Sequence, residues 1–206
     1  HRIPLYVDGG GSTVTRGMEA VKGGVCLDLS IHMRHILSFN ETDQTITVEP
    51  GIWGPELEDI LNRAPETFSA ARAYTCGHFP QSFEHSSVGG WVVTRGAGQN
   101  STYYGKIEDI VYALEMVYPG GVITTPPYPR SATGPDFRQI LAGSEGTFGV
   151  VTSVTLRVFH HTPSSPRRFA CLFKTWEDAL EAYREVMQSE VGFPSVFRLS
   201  DPEETD

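Results

Sequence analysis

Three glycine-rich segments interrupt the apolar stretches of this chain of 206 residues, and each of them also carries Ser or Thr. They are DGGGST at residues 8–13, PQSFEHSSVGGWVVTRGAG at residues 80–98 and GSEGTFGVV at residues 143–151. Each lies next to a predicted β-strand. Glycine lets backbone N–H groups turn outwards without a Cβ in the way, and consecutive amides of this kind form a concave anion site. One such segment indicates a turn, whereas three together favour an extended ligand with a phosphate and polar edges.

The apolar patterns between these segments predict a mixture of strands and helices. Short apolar runs predict strands at residues 1–7, 25–30, 45–51, 110–118 and 122–125, the last two as a hairpin. A helix is predicted from Pro55, where Leu57, Ile60 and Leu61 fall on one face. The longest strand-like run, residues 148–159, would place five alternate side chains on one face: Val150, Thr152, Val154, Leu156 and Val158.

The character of the sequence changes after residue 160. Residues 161–167 are rich in Pro and Ser and predict a linker. We therefore expect a first domain at residues 1–160, with its N-terminal part lying before residue 1, and the beginning of a second domain at residues 168–206.

The second domain is expected to begin as a strand, a helix and a strand. Residues 169–173 and 195–199 predict the strands, and the periodicity of residues 176–188 predicts the helix. Thr175 and Asp178 are suited to cap that helix.

The composition excludes several kinds of protein. A formal net charge of -9 argues against a nucleic-acid partner, because Lys and Arg supply most of the affinity for phosphate backbones. No apolar run approaches the roughly 18 residues of a membrane-spanning helix. The cysteines Cys26, Cys76 and Cys171 are widely spaced and are interpreted as buried reduced thiols.

The common fingerprints of phosphate-binding and hydrolytic sites do not match. The dinucleotide fingerprint requires its last glycine where this chain has Val14 or Ser101. A P-loop requires Gly, and then Ser or Thr, where it has Asn100 and Ile107. Residues 142–146 are one glycine short of the nucleophile elbow of a serine hydrolase. The sequence therefore predicts none of these three sites.

A metal site also receives little support. His160 and His161 are adjacent, so their side chains point in different directions on an extended segment. Cys76, His78 and His85 form a loose group without a second ligand pair of the usual spacing. We expect no metal.

The order and separation of four blocks carry a more specific resemblance. The blocks are GGGST, TVEPGIWGPEL, PQSFEHSSVGGWVVTRGAGQNSTYYGKIEDIV and GSEGTFGVVTSVTLRV. Together they resemble the FAD-binding domain of the vanillyl-alcohol-oxidase (PCMH-type) superfamily, and within it the alkyldihydroxyacetonephosphate synthase family of ether-lipid synthesis. The likeness covers nearly the whole chain. It implies an α+β fold of two subdomains, with mixed or antiparallel sheets flanked by helices. Residues 1–160 would bind FAD, and residues 168–206 would begin a substrate-binding cap domain.

By this resemblance, three groups of residues would bind FAD. The first loop would cradle the pyrophosphate with backbone amides, and the second group would line the diphosphate, ribityl and isoalloxazine parts, with Arg95 as its only fixed cation. The third group would close on the flavin and adenine side. The residues are Val7, Asp8, Gly9, Gly10, Gly11, Ser12 and Thr13; Gln81, Ser82, Phe83, Glu84, His85, Ser86, Ser87, Thr94, Arg95, Gly96 and Ala97; and Glu145, Gly146, Thr147, Phe148, Gly149, Val150 and Val151.

The first loop departs from the family pattern. Asp8 places a carboxylate near the expected pyrophosphate, where it would weaken binding unless it points away. Covalent members of the superfamily often carry a His in this loop, whereas this chain has Gly11 and Ser12. We therefore expect FAD to be held without a covalent bond. His85 stands where an apolar residue is expected, and the sequence offers no physical account of it.

The resemblance implies an enzyme that exchanges the acyl group of acyl-dihydroxyacetone phosphate for an alkyl group. The acid and base residues of that family lie beyond residue 206, so we expect no catalytic residue in this chain and no activity from the chain alone. By the resemblance, Arg198 matches an arginine that the family needs for activity and is the expected substrate-binding residue, and its guanidinium suits a phosphorylated substrate. An ion pair at the surface is the competing interpretation of Arg198.

Two other functions stay open: an FAD-linked dehydrogenase of 2-hydroxy acids, and a flavin-binding or structural module without catalysis. The expected substrate is a small lipid or hydroxy acid. Peripheral membrane association, a homodimer and a cytoplasmic location, or a peroxisomal one in a eukaryote, complete the expectations.

Overall fold

The computed structural model describes residues 3–164 and 166–205. Its strands are β1 (Leu5–Asp8), β2 (Val25–Asp28), β3 (Ile36–Asn40), β4 (Thr45–Val48), β5 (Tyr74–Thr75), β6 (Val111–Tyr118), β7 (Gly121–Thr124), β8 (Val150–Arg157) and β9 (Phe159–His160). Its helices are α1 (Gly54–Asn62), α2 (Ala64–Phe68), α3 (Val88–Thr94), α4 (Ser101–Tyr104), α5 (Ile107–Ile110), α6 (Phe137–Leu141), α7 (Trp176–Gln188) and α8 (Pro202–Thr205), with a short 3₁₀ helix at Phe83–His85. The predicted α+β class is confirmed.

The centre of the fold is an antiparallel sheet of five strands in the order β3-β4-β8-β6-β7. The predicted hairpin is present as β6 and β7, which pair from Tyr118 and Gly121 outwards. The long strand-like run forms β8 between β4 and β6, where Val154 and Leu156 are fully buried.

The face predicted for β8 is correct in only part of the strand. Glu115 pairs with Ser153, but the next residue of β6, Met116, pairs with Val151, so that Thr152 is an extra residue in β8. The hydroxyl of Thr152 donates to Glu115 Oε1 at 2.7 Å. This bulge shifts the buried face by one residue, from Val154 to Val151. A bulge depends on the partner strand, and the alternation of one strand does not reveal it.

The core lies between this sheet and helices α1 and α3. Leu57 and Leu61 of α1 are fully buried and Ile60 packs against the core, as the sequence predicted. The residue before α1, Trp53, forms a bridge to Ser87 at the start of α3. Through this bridge the core helices position the residues of the second glycine-rich segment.

Strands β1 and β2 form a separate parallel pair, and both were predicted. Leu29 N–H donates to Asp8 O at 2.9 Å and closes the end of the pair. The pair presents the loop that follows Asp8, which is the first glycine-rich segment. The side chains of Leu5 and Val25 are exposed.

The C-terminal region contains the predicted helix but neither predicted strand. Helix α7 begins after Thr175, whose side chain accepts a hydrogen bond from Asp178 N–H, so the predicted cap is confirmed. Residues 169–173 and 195–199 have no strand partner among the described residues, and the prediction of strands there is wrong. A strand requires a neighbour for its backbone hydrogen bonds, whereas a helix satisfies its own. The predicted domain boundary at residues 161–167 stays a prediction.

Candidate functional site

Helix α3 and the residues at its two ends hold the three glycine-rich segments together. At its N-terminal end, the first segment approaches so closely that a Cβ on Gly10 would lie 2.7 Å from the carbonyl oxygen of His85. A Cβ on Gly9 would lie 2.3 Å from Ser87 Oγ. Ser87 also caps α3 by accepting a hydrogen bond from Gly90 N–H at 3.3 Å. Only glycine allows the loop to lie against the cap of this helix.

The loop after β1 presents a run of unused backbone donors. Among the described residues, no hydrogen-bond acceptor is found for the amides of five consecutive residues: Gly9, Gly10, Gly11, Ser12 and Thr13. Gly11 has φ 63°, and a Cβ there would have only Asp8 Oδ1, at 3.9 Å, within 4 Å. Consecutive free amides on an open glycine loop fit an anionic ligand.

The carboxylate of Asp8 lies beside this loop. Its Oδ1 atom is buried and has no hydrogen-bond partner among the described residues. The sequence predicts that this carboxylate repels the pyrophosphate unless Asp8 points away. Its Oδ1 lies 3.9 Å from the Cβ position of Gly11 and is therefore beside the loop.

A buried hydrogen-bond chain fixes the second segment. Trp91 Nε1 donates to Ser86 Oγ at 2.6 Å, and Ser86 Oγ donates to Ser82 O at 2.8 Å. The ring of Phe83 lies parallel to that of Trp91 with centroids 6.0 Å apart. The backbone of this segment is therefore held rigidly against α3. The side chain of His85 is exposed, and its backbone carbonyl makes the contact with Gly10.

The third segment joins the C-terminal end of α3. Gly143 N–H donates to Val92 O at 3.0 Å, and Glu145 N–H donates to Val93 O at 3.1 Å. Arg95 adopts a left-handed conformation directly after the helix, with φ 51°. Its Nε donates to Ala142 O at 3.0 Å, and its Nη2 donates to Gln139 O. The guanidinium that was predicted to be the chief cation of the site thus also ties the second segment to α6 and to Ala142, the residue directly before the third segment.

The third segment also closes towards the first. A Cβ on Gly17, which follows the first loop, would lie 3.0 Å from Glu145 Oε2. Gly146 has φ 80° and open space around its Cβ position, and the neighbouring Phe148 is exposed. Ser144 Oγ is buried without a partner among the described residues. The three segments therefore form one continuous surface around α3.

Two buried polar groups lie behind this surface. His78 is 1% exposed, and neither ring nitrogen has a hydrogen-bond partner among the described residues. Burial lowers the pKa of His78 to about 4, although the nearby Glu108 carboxylate opposes this shift. Burial also raises the pKa of Glu108, but the hydrogen bond from Lys106 and its charge outweigh burial and leave that pKa below its usual value.

Sequence reasoning missed part of this arrangement. His78 was considered only as a weak metal ligand, and no group of three or more His, Cys, Asp or Glu in the described part of the chain is arranged to hold a metal ion. Trp53 lies in the block TVEPGIWGPEL but is absent from the predicted site residues, yet its Cζ3 would lie 3.2 Å from a Cβ on Gly10. Both residues act through three-dimensional contacts with glycines, which a sequence pattern does not reveal.

Other predicted residues lie elsewhere or differ in exposure. Arg198 forms an exposed ion pair with Glu204, and no contact with the three segments is found among the described residues. Cys76 is buried, and burial raises the pKa of its thiol. Cys26 and Cys171 are exposed, so the prediction of three buried thiols is wrong for these two, since β2 and the C-terminal region lack a cover.

Comparison with known proteins decides the family. The profile of a family described as FAD binding domain matches residues 1–125. The chain belongs to this FAD-binding family. FAD is its cofactor, as the sequence predicted.

The relatives of this FAD-binding domain are longer proteins. It is 34% identical over 208 residues to alkyldihydroxyacetonephosphate synthase of Dictyostelium discoideum, covering 100% of this chain and 32% of that protein. It is 32% identical over 191 residues to the mitochondrial D-lactate dehydrogenase [cytochrome] of Arabidopsis thaliana, covering 92% of this chain and 32% of that protein. The chain thus spans about a third of the relatives it matches.

A solved structure supports the same fold. A crystal structure of alkyldihydroxyacetonephosphate synthase matches with a TM-score of 0.80 and 31% sequence identity, covering 98% of this chain and 35% of that chain. The resemblance inferred from the four sequence blocks is therefore confirmed, together with the PCMH-type fold.

The geometry fits FAD. Free amides of the first loop suit a pyrophosphate, and the Cβ position of Gly146 in the third segment has no atom within 4 Å, which leaves room for a ligand there. The assignment of individual residues to parts of FAD stays a prediction. Among the described residues, no helix is both long and apolar enough to cross a lipid bilayer.

Proposed function

We propose that this FAD-binding domain serves an enzyme that exchanges the acyl group of acyl-dihydroxyacetone phosphate for an alkyl group. The observation that supports this proposal most is the match along 98% of the chain to the fold of alkyldihydroxyacetonephosphate synthase at 31% identity. The reaction requires sequence beyond this chain, because no catalytic residue is assigned here.

In this proposal the three segments bind and orient FAD. The amides of Gly9 to Thr13 hold the pyrophosphate, and the rigid second segment lies along the flavin. Arg95 holds the C-terminal end of α3 against α6 and Ala142, which directly precede the third segment. Bound FAD supplies the reactive isoalloxazine ring. The chain's own residues fix its position without a covalent bond.

Arg198 is the proposed contact with the substrate phosphate. Its guanidinium is exposed and its partner Glu204 is also exposed, so a phosphate can replace that carboxylate at little cost. Replacement of Arg198 by Lys keeps the charge but loses the fork of donors. The proposal requires a rise in KM for the phosphorylated substrate in that variant.

The second candidate function is an FAD-linked dehydrogenase of 2-hydroxy acids. The similarity to D-lactate dehydrogenase of Arabidopsis thaliana favours it. A flavin-binding module without catalysis is the third candidate. Membrane association, a homodimer and the cytoplasmic or peroxisomal location remain expectations that follow from the first candidate.

One assay of the full-length protein separates these candidates. The purified FAD-loaded protein is incubated with acyl-dihydroxyacetone phosphate and a fatty alcohol, and separately with D-lactate and an electron-accepting dye. The proposal requires formation of the alkyl ether without dye reduction. Dye reduction by the hydroxy acid would establish the dehydrogenase, and no turnover in either assay would favour the module.

A further inference from the structure

The histidine behind the second segment has no role in the proposed function. His78 is 1% exposed, and both ring nitrogens are buried without a hydrogen-bond partner among the described residues. A neutral imidazole carries one N–H donor and one acceptor nitrogen. Leaving both unpaired in the interior is unfavourable, so a partner that is not a described protein atom is expected.

The neighbours of the His78 imidazole indicate the region where such a partner would lie. The imidazole contacts Trp91, with ring centroids 4.9 Å apart. Its Nε2 atom would lie 3.5 Å from a Cβ on Gly96. Gly96 is also held by two backbone hydrogen bonds, one to Trp91 O at 3.0 Å and one from Ile107 N–H at 3.2 Å. The imidazole therefore lies directly behind a residue that is predicted to face FAD.

A second unpaired atom belongs to the same region. Glu108 follows Ile107, and its Oε2 atom is buried without a partner among the described residues, while its Oε1 atom binds Lys106 Nζ at 2.6 Å. The backbone carbonyl of Glu108 accepts from Gln139 Nε2 at 3.2 Å, and Gln139 in turn binds Arg95. A donor on His78 and an acceptor on Glu108 are the kind of partners that hold an internal water.

We propose that His78 is a positioning residue for FAD: with Glu108 it holds an internal water behind Gly96, and this water fixes residues 94–97 against the cofactor. The inference rests on the proposed contact of those residues with FAD. It predicts that the polar atoms of His78, rather than its ring shape, determine how the flavin is held.

Two substitutions separate polarity from shape. His78→Phe keeps a planar ring against Trp91 and removes both nitrogens. His78→Gln keeps a donor and an acceptor near the position of Nε2. His32, which is exposed, provides the matched control as His32→Phe.

The first measurement is the Tm of the full-length apoprotein, which does not depend on FAD. We expect His78→Phe to lower Tm by about 5 °C, because the water and Glu108 lose a partner, and His78→Gln to recover most of it. If no water pairs with His78, Phe fills the same space and no unpaired polar atom stays buried, so Tm rises. A rise would overturn the proposal even in a protein that binds no FAD.

The second measurement is the Kd for FAD together with the visible spectrum of the bound flavin. We expect His78→Phe to raise Kd about tenfold and to shift the spectrum, with recovery in His78→Gln and no change in His32→Phe. Unchanged FAD binding and an unchanged spectrum in His78→Phe would reject the positioning role. Failure of the wild type to bind FAD would instead contradict the proposed function.

Discussion

The region up to residue 161 and the region from residue 166 differ in how many apolar side chains they bury. The first buries Leu57, Leu61, Val154 and Leu156 completely. In the second, Ala179 is the one buried apolar residue among those described, whereas Leu172 is 97% exposed. The three glycine-rich segments all lie in the first region, so the site is built where the chain supplies its own core.

The difference shows which elements of secondary structure form without hydrogen bonds from a neighbouring element. Helix α7 is present in the C-terminal region because its backbone hydrogen bonds are internal and Thr175 caps it. The strands predicted at residues 169–173 and 195–199 are absent because no described strand lies beside them. We therefore predict that FAD binding depends on the first region and is indifferent to changes in the second.

The largest effect is expected from Gly10→Val. A Cβ there would meet backbone atoms of His85 and Ser86 at 2.7 and 3.2 Å, so the first loop must leave α3. We expect FAD affinity to fall at least about 100-fold, measured as flavin bound per protein after gel filtration. Gly23→Ala is the matched control, because Gly23 lies outside the loop, has φ 64° and has no atom within 4 Å of its Cβ position, so that the substitution costs only about 1 kcal/mol of backbone strain. Equal flavin content in the two variants would show that the loop is only a turn.

A pH effect of intermediate size is expected from His78. Its pKa is lowered by burial from 6.5 to about 4, so the unfolded chain binds the proton first as the pH falls. Stability should therefore decline between pH 6.5 and pH 4, by about 3 kcal/mol from this group alone. Urea unfolding of wild type and His78→Gln, compared across that range, measures it. Parallel curves for the two proteins would contradict a neutral buried imidazole.

Two helix caps provide a matched pair across the two regions. Ser87→Ala and Thr175→Ala each remove a side chain that accepts a backbone N–H, at a cost of about 1 kcal/mol. Only Ser87 lies beside the first glycine loop. Isothermal titration should therefore find weaker FAD binding in Ser87→Ala and unchanged binding in Thr175→Ala. A similar loss in both would break the distinction between the regions.

The smallest effect is expected from Leu172→Ser. With 97% of the residue exposed, the substitution should change the free energy of unfolding by less than about 0.5 kcal/mol and leave FAD affinity unchanged. Chemical denaturation of the full-length protein checks this expectation. A loss of more than 1 kcal/mol would mean that another part of the full-length protein covers Leu172.

Local patterns predicted much of this molecule because they act within a few residues. The cap at Thr175, the apolar face of α1 and the hairpin of β6 and β7 all follow from short-range preferences. The glycine segments were recognised by their composition and order. Their meeting at α3 could not be predicted from spacing, because contacts such as Gly10 with His85 join residues far apart in sequence.

The features that sequence reasoning missed depend on partners from other elements. The bulge at Thr152 exists only relative to β6. The sequence predicts that Arg95 binds an anion. Its hydrogen bonds to Ala142 and Gln139 instead depend on how the end of α3 packs against α6. His78 resembles a weak metal ligand until its burial and unpaired nitrogens are known.

The most direct test of the central claim is hydrogen–deuterium exchange of the full-length apoprotein with and without FAD, followed by mass spectrometry. The amides of residues 9–13 have no acceptor among the described residues, so a peptide covering them should exchange rapidly without FAD. We predict strong protection of that peptide when FAD is bound, together with no change in peptides from residues 176–188. Rapid exchange of residues 9–13 in the FAD-saturated protein would contradict the claim that this loop holds the pyrophosphate.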